Sequence, residues 1–214
     1  MRLKKDSNIG LYDSRFEKES CGLGFVAQIN KEPSHQNIKD ALMILCNMDH
    51  RGARGSELNS GDGAGILTGM PHTFFAGISR ECFGVSLEEG RYAVGNIFLP
   101  NEGKEREACK KSFEETCSEN ELEIIGWRDL PIDIKKADIG PSALKAMPKI
   151  EQVFVKDNSS FFNQEDFERR LYLARKKVSN HLRINSELDE ADLFIFVACL
   201  LRQSSTRECL LVIK

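Results

Sequence analysis

The sequence predicts a mixed fold of helices packed on sheet, and three observations carry that prediction. Extended apolar segments alternate with amphipathic helical ones along most of the chain. The 214 residues are 41% hydrophobic and 29% charged, enough to bury a sizeable core. A glycine-dense stretch at residues 50–65 interrupts the alternation with a structured loop.

In chain order, residues 21–29 (CGLGFVAQI) place Phe, Val and Ile behind small residues, which predicts a buried strand beginning at Cys21. A helix opens at Asn37 and closes near Asp49, with Ile38, Ala41, Leu42, Leu45 and Met48 at one-face spacing. Five glycines between His50 and Gly65 rule out a continuing helix; residues 66–68 resume an extended course, and Pro71 starts a short helix. Residues 92–99 read as a strand and 102–117 as a helix turning Cys109, Phe113 and Thr116/Cys117 inward. Residues 122–127 read as extended, and 131–147 as less regular. A strand over 150–155 precedes an amphipathic helix over 165–182, with Phe167, Leu171, Ala174 and Val178 on one side. Residues 193–201 are the strongest strand, and 207–214 a last strand ending without cap or turn, so the domain is expected to continue past Lys214.

Composition excludes several functions. The net charge is −3, and no Lys/Arg stripe with interleaved aromatics calls for nucleic acid or a membrane surface. The first twenty residues lack the apolar run of a secretory signal, and residues 193–201 fall short of the ~20 apolar residues that span a bilayer. Seven scattered cysteines without a Cys-x-x-Cys pair fit reduced thiols in the cytoplasm and argue against zinc, an iron–sulfur cluster or a dithiol redox site. His35, His72 and His181 show no acidic or thiol neighbour that would complete a triad or a metal site.

Cys21 is the residue with the clearest chemistry. A cysteine at a chain start can use its own α-amine, of pKa ~7.7–8.0, as the base for its thiol. That reading requires cleavage between Ser20 and Cys21; the alternative is a small buried strand residue. Around it stand Glu19-Ser-Cys-Gly-Leu-Gly-Phe-Val-Ala27, Met48-Asp-His-Arg-Gly-Ala53, Ser60-Gly-Asp-Gly-Ala-Gly-Ile66 and Pro71-His-Thr-Phe-Phe75. Further on come Gly140-Pro-Ser-Ala-Leu-Lys-Ala-Met-Pro148, Ile150-Glu-Gln-Val-Phe-Val155 and Phe167-Glu-Arg-Arg-Leu-Tyr172. In this ordered succession the sequence resembles the class II glutamine amidotransferase domain of the glutamate synthase large subunit, from Glu19 to Arg207.

The resemblance implies an α+β fold of the N-terminal nucleophile hydrolase type: a four-layer αββα sandwich of mainly antiparallel sheets. Residues 1–20 would be a leader and 21–214 the N-terminal part of the amidotransferase domain. Cys21 would attack the side-chain amide of glutamine, giving a γ-glutamyl thioester and ammonia, then glutamate. His50, Arg51 and Asp62 are substrate-binding candidates, with a self-satisfied polar turn as the alternative for each. Gly61, Gly63 and Gly65 match neither a Walker loop nor a dinucleotide fingerprint and read as backbone shape. The family's FMN and iron–sulfur cluster belong to later domains, so no cofactor is expected here; the implied partners are glutamine, those domains and a small subunit.

The resemblance breaks after Arg207, where the family continues through a Tyr-Lys-Gly stretch to a carboxylate-binding Arg and an oxyanion-stabilising Asn-Gly pair. None of these follows before Lys214, as in a frameshift with an early stop. The expectation is a domain incomplete at its C-terminus, with unpaired edges, prone to aggregate and nearly inactive alone. The alternative function is a non-catalytic remnant or interaction module.

Overall fold

The computed structural model describes residues 22–29, 34–51, 57, 59–61, 63–185, 195–200 and 209–213. The first half runs β1 (Leu23–Ala27), α1 (His35–Asn47), a 3-10 turn (Asp49–Arg51), β2 (Gly65–Leu67), α2 (His72–Phe83), β3 (Tyr92–Leu99) and α3 (Gly103–Glu119). There follow β4 (Leu122–Asp129), α4 (Ile134–Ala137), α5 (Pro141–Ala146), β5 (Lys149–Asp157), α6 (Gln164–Asn185), β6 (Ile195–Leu200) and β7 (Cys209–Ile213). The strands form two antiparallel sheets, ordered β4-β5-β3-β6 and β1-β7-β2.

The four-stranded sheet is covered by helices on both faces. Side chains alternate across a strand. Ala93, Ile97 and Leu99 of β3 and Val153 and Val155 of β5 therefore face one way, and Tyr92, Val94 and Phe154 the other. The first face meets Cys109, Phe113 and Cys117 of α3, four residues apart, and Phe167, Leu171, Ala174, Val178 and Leu182 of α6. The second face packs against Phe75, Ile78 and Phe83 of α2. Buried aromatic side chains each contribute roughly 1.5–3 kcal/mol through lost water contact, and Phe113 adds an edge-on contact to Trp127 at 5.8 Å between centroids.

Two buried charges at the rim of this core are paired with opposite charges, although Arg170 Nε makes no hydrogen bond among the described residues. The Arg170 guanidinium pairs with the Asp157 carboxylate at the end of β5 and donates to the carbonyl oxygen of Glu121 at 3.0 Å. Glu151 receives Lys110 Nζ at 3.1 Å and Arg106 Nε at 3.8 Å from α3.

The three-stranded sheet is thinner. Helix α1 covers one face, with Ala41 at the centre of Val26, Ile38, Ile44, Leu45, Met48 and Ile66. On β1, Leu23 and Phe25 are 64% and 72% exposed, so among the described residues the strand expected to be buried is covered on one side only, and it starts at Leu23 rather than Cys21. Helix α1 also starts earlier than expected, because the Ser34 hydroxyl accepts from the Gln36 amide and caps it. Leu42, expected on the apolar face, is 49% exposed, and Ile44 packs against the sheet in its place. Residues 131–147, read as less regular, contain the two short helices α4 and α5. Among the described residues no helix is long and apolar enough to cross a membrane.

Candidate active site

The site is defined by where the chain enters the three-stranded sheet. Leu23 of β1 and Gly65 of β2 both pair with Ile213 of β7, one on each side. Since both strands run antiparallel to β7, they run parallel to each other, and the segments leading into them arrive at the same end of the sheet. Those segments are Cys21-Gly22 and Gly61-Asp62-Gly63-Ala64.

Helix α1 brings a third segment to that end. It runs antiparallel to β1: Ala41 lies with Val26, whereas Ile44, one turn later, lies against Gly24. The approach at Gly24 is so close that a Cβ there would sit 2.6 Å from Ile44 Cγ2. Glycine thus lets α1 lie flat on the strand. The helix therefore points its C-terminus, and the 3-10 turn carrying His50 and Arg51, towards the start of β1.

Of the residues singled out from sequence, Cys21 and Asp62 lie outside the described residues, as does the leader 1–20, and for Arg51 the backbone alone is described. His50 is exposed, and its Nδ1 lies 3.0 Å from the Asn47 carbonyl oxygen, so one ring nitrogen holds its own turn. Gly61 and Gly63 are exposed, and Gly22 is buried at the mouth of β1.

Glu57 was not legible as part of this region. Its Oε1 accepts from Ser142 Oγ at 2.7 Å and from the Ser142 amide at 3.2 Å; its Oε2 accepts from Ser60 Oγ at 2.9 Å. The Ser142 and then the Ser60 hydroxyl stabilise the carboxylate and hold its pKa below the ordinary glutamate value. Asn59 Nδ2 reaches Asp138 Oδ1 at 3.4 Å alongside. The signal that could have pointed here is the start of α5: Gly140 at the N-cap brings no capping side chain and Pro141 no amide hydrogen, so the Ser142 amide needs an acceptor from elsewhere.

The other groups with displaced acidity are structural. Burial pushes the Cys109 thiol up to about 11, with the Glu105 charge adding to it, which leaves this cysteine a poor nucleophile. Tyr92 is raised to about 12 by burial and by Glu89, and its hydroxyl shares a 3.1 Å hydrogen bond with His72 Nδ1. Among the described residues no group of three or more His, Cys, Asp or Glu side chains could hold a metal ion.

Strands β1 and β2 thus enter the sheet side by side with β7 between them, β1 behind the buried Gly22 and β2 behind the exposed Gly63. The profile of the class-II glutamine amidotransferases matches residues 21–205, opening on Cys21, and the chain belongs to that family. It is 37% identical over 172 residues to the glutamate synthase [NADPH] large chain of Bacillus subtilis, covering 80% of this chain and 11% of the relative. Against the glutamate synthase [NADH] of Schizosaccharomyces pombe the identity is 40% over 177 residues, covering 80% and 8%. Against the chloroplastic ferredoxin-dependent glutamate synthase of Oryza sativa subsp. japonica it is 35% over 174 residues, covering 81% and 11%. The chain thus spans about a tenth of the length of these curated relatives.

Proposed function

We propose that this chain is the glutamine-hydrolysing portion of a glutamate synthase, acting through Cys21 in the cytoplasm. The observation that carries the reading is that the family match opens on Cys21, two residues ahead of β1, which enters its sheet at the same end as β2. Removal of residues 1–20 frees the α-amine, which takes the thiol proton. The thiolate adds to the glutamine side-chain carbonyl carbon, and collapse of the adduct breaks the C–N bond. The amine returns the proton to the departing nitrogen, so ammonia leaves and a γ-glutamyl thioester remains. Water then cleaves the thioester, giving glutamate and restoring the thiol.

Arg51, His50 and Asp62 would bind the substrate around Cys21. The ammonia would be consumed in other domains of the parent synthase, joined there to 2-oxoglutarate, with a small subunit as a further partner. The two sheets would be the inner layers of a four-layer αββα sandwich within 21–214, meeting where α2 leaves the second face of the larger sheet half-covered, at Asn96 and Phe98 of β3. On the smaller sheet, the face that no described helix covers, with Leu23, Phe25 and Leu67 exposed, supports that stacking.

The test is the intact mass of the purified chain before and after treatment with a diazo-ketone analogue of glutamine. Loss of residues 1–20 and a single adduct on Cys21 is the expected result. An uncleaved, unlabelled chain would leave the resemblance without the activity and support the non-catalytic alternative.

A further inference from the structure

From the contacts of Glu57 we infer that it is a positioning residue for this site: its carboxylate fastens the chain at Ser60, ahead of β2, to the turn at Gly140-Pro141-Ser142, and so fixes the entry to β2 at the sheet end where β1 also begins. The inference rests on the glutaminase reading of the site.

The fastening has two independent marks. One is the set of hydrogen bonds by which Glu57 caps α5 across 85 residues of sequence while holding Ser60 on its own side. The other is the backbone at Gly140, where a Cβ would lie 1.9 Å from Glu57 Oε2 and 2.2 Å from Ser60 Oγ. Only a residue without a side chain admits the carboxylate there.

The anchor point is itself held. Asn101, just past β3, donates to the Met147 carbonyl at 2.9 Å, and the chain then enters β5 at Lys149. The clamp therefore references the loop to the densely packed four-stranded sheet. Asp62 lies two residues beyond Ser60, and β2 begins three residues after that. Without Glu57, the loop keeps β2 as its fixed end and loses this tie. A group that must sit within about 1 Å of its place loses up to ~10²-fold in rate when it drifts.

The variants are Glu57→Ala, which removes the clamp, and Gly140→Ala, which displaces it from the other side. Glu57→Gln keeps the shape: its amide oxygen can accept from Ser142 and its NH₂ can donate to Ser60. All are made in the full chain. The first readout is backbone amide exchange over residues 57–64 and 138–146. Glu57→Ala and Gly140→Ala are expected to speed exchange there about tenfold while β3 and α6 stay unchanged, and Glu57→Gln to stay near the parent. Parent-like exchange in Glu57→Ala overturns the clamp, whatever the chemistry of the site.

The second readout is labelling of Cys21. Glu57→Ala should weaken the half-saturating concentration of the diazo-ketone about tenfold, leave alkylation by iodoacetamide within about twofold, and be rescued by Glu57→Gln. An equal fall in both reagents overturns positioning in favour of general structural loss. If the parent chain takes no diazo-ketone label, the glutaminase reading fails and takes the positioning role with it, while the exchange result still decides whether the clamp exists.

Discussion

Strand β5 buries five consecutive residues, Glu151 to Val155, whereas no residue of β1 is buried. The first strand is packed between α3 and α6 on one face and α2 on the other; among the described residues the second has α1 alone. The chain concentrates packing in one sheet, and the segments proposed to react lead into the other at one end. The sparse sheet need not be stable by itself if it is tied to the dense one. A catalytic loop drawn from the less stable part of a fold is a common arrangement, since such segments must also admit substrate.

The sharpest way to separate the two regions is Cys21→Ala. It should abolish diazo-ketone labelling without moving the unfolding transition, as measured by labelled mass and circular dichroism. Undiminished labelling in that variant would remove Cys21 as nucleophile.

Phe167→Ala should do the opposite. This fully buried side chain of α6 sits in the dense core, and its removal should cost about 3–5 kcal/mol in denaturant unfolding. A loss below about 1 kcal/mol would mean that the α6 face is far looser than its burial implies.

Alkaline titration probes the dense region more gently. The folded chain holds the Cys109 and Tyr92 protons more tightly than the unfolded chain, with pKa values near 11 and 12 against ordinary values of 9.0 and 10.0. Their contribution, on the order of 1–3 kcal/mol each, is complete below pH 9 and lost as the pH rises through 11 and 12. Cys109→Ala should therefore delay the onset of alkaline destabilisation by about one pH unit, read from melting temperature against pH. An onset unchanged by the substitution would assign the loss to other groups.

The smallest effect is expected from Ser34→Ala, which removes the N-cap of α1 at ~1 kcal/mol. Amide exchange should rise in α1 and β1 and stay unchanged in α6. A uniform rise through both regions would show that the two sheets unfold as one unit.

The dense region was also the more legible in sequence. Residues 92–99 are a short apolar run rich in aromatic and β-branched residues that stops at Pro100, and Cys109, Phe113 and Cys117 recur at four-residue spacing, so a strand and a helix were both readable. In α1 the apolar run 41–45 offers several possible faces, and the packing of Ile44 on Gly24 decides among them, a tertiary fact that no local pattern encodes. Helices α4 and α5, of four and six residues, are shorter than any window in which a helical period can be recognised. The Cys-Gly start and the ordered motifs gave the family, and the match from residue 21 agrees with them. The Glu57–Ser142 contact joins positions 85 residues apart and leaves no local mark except a helix start without its own cap.

The pairing of Leu23 and Gly65 with the same residue of β7 makes that strand a ruler. Two interstrand spacings, about 9.5 Å, separate Leu23 from Gly65, with Ile213 of β7 between them. That separation depends on the spacing of a hydrogen-bonded ladder rather than on any side chain. A slip of β7 that carries both neighbours with it leaves the two strand entries aligned. A slip of β2 alone by two residues keeps every side chain on its face yet offsets the two edges by about 7 Å. Insertions in the 28–34 connection are therefore predicted to be tolerated, and pairs of residues inserted between Gly63 and Ile66 are not.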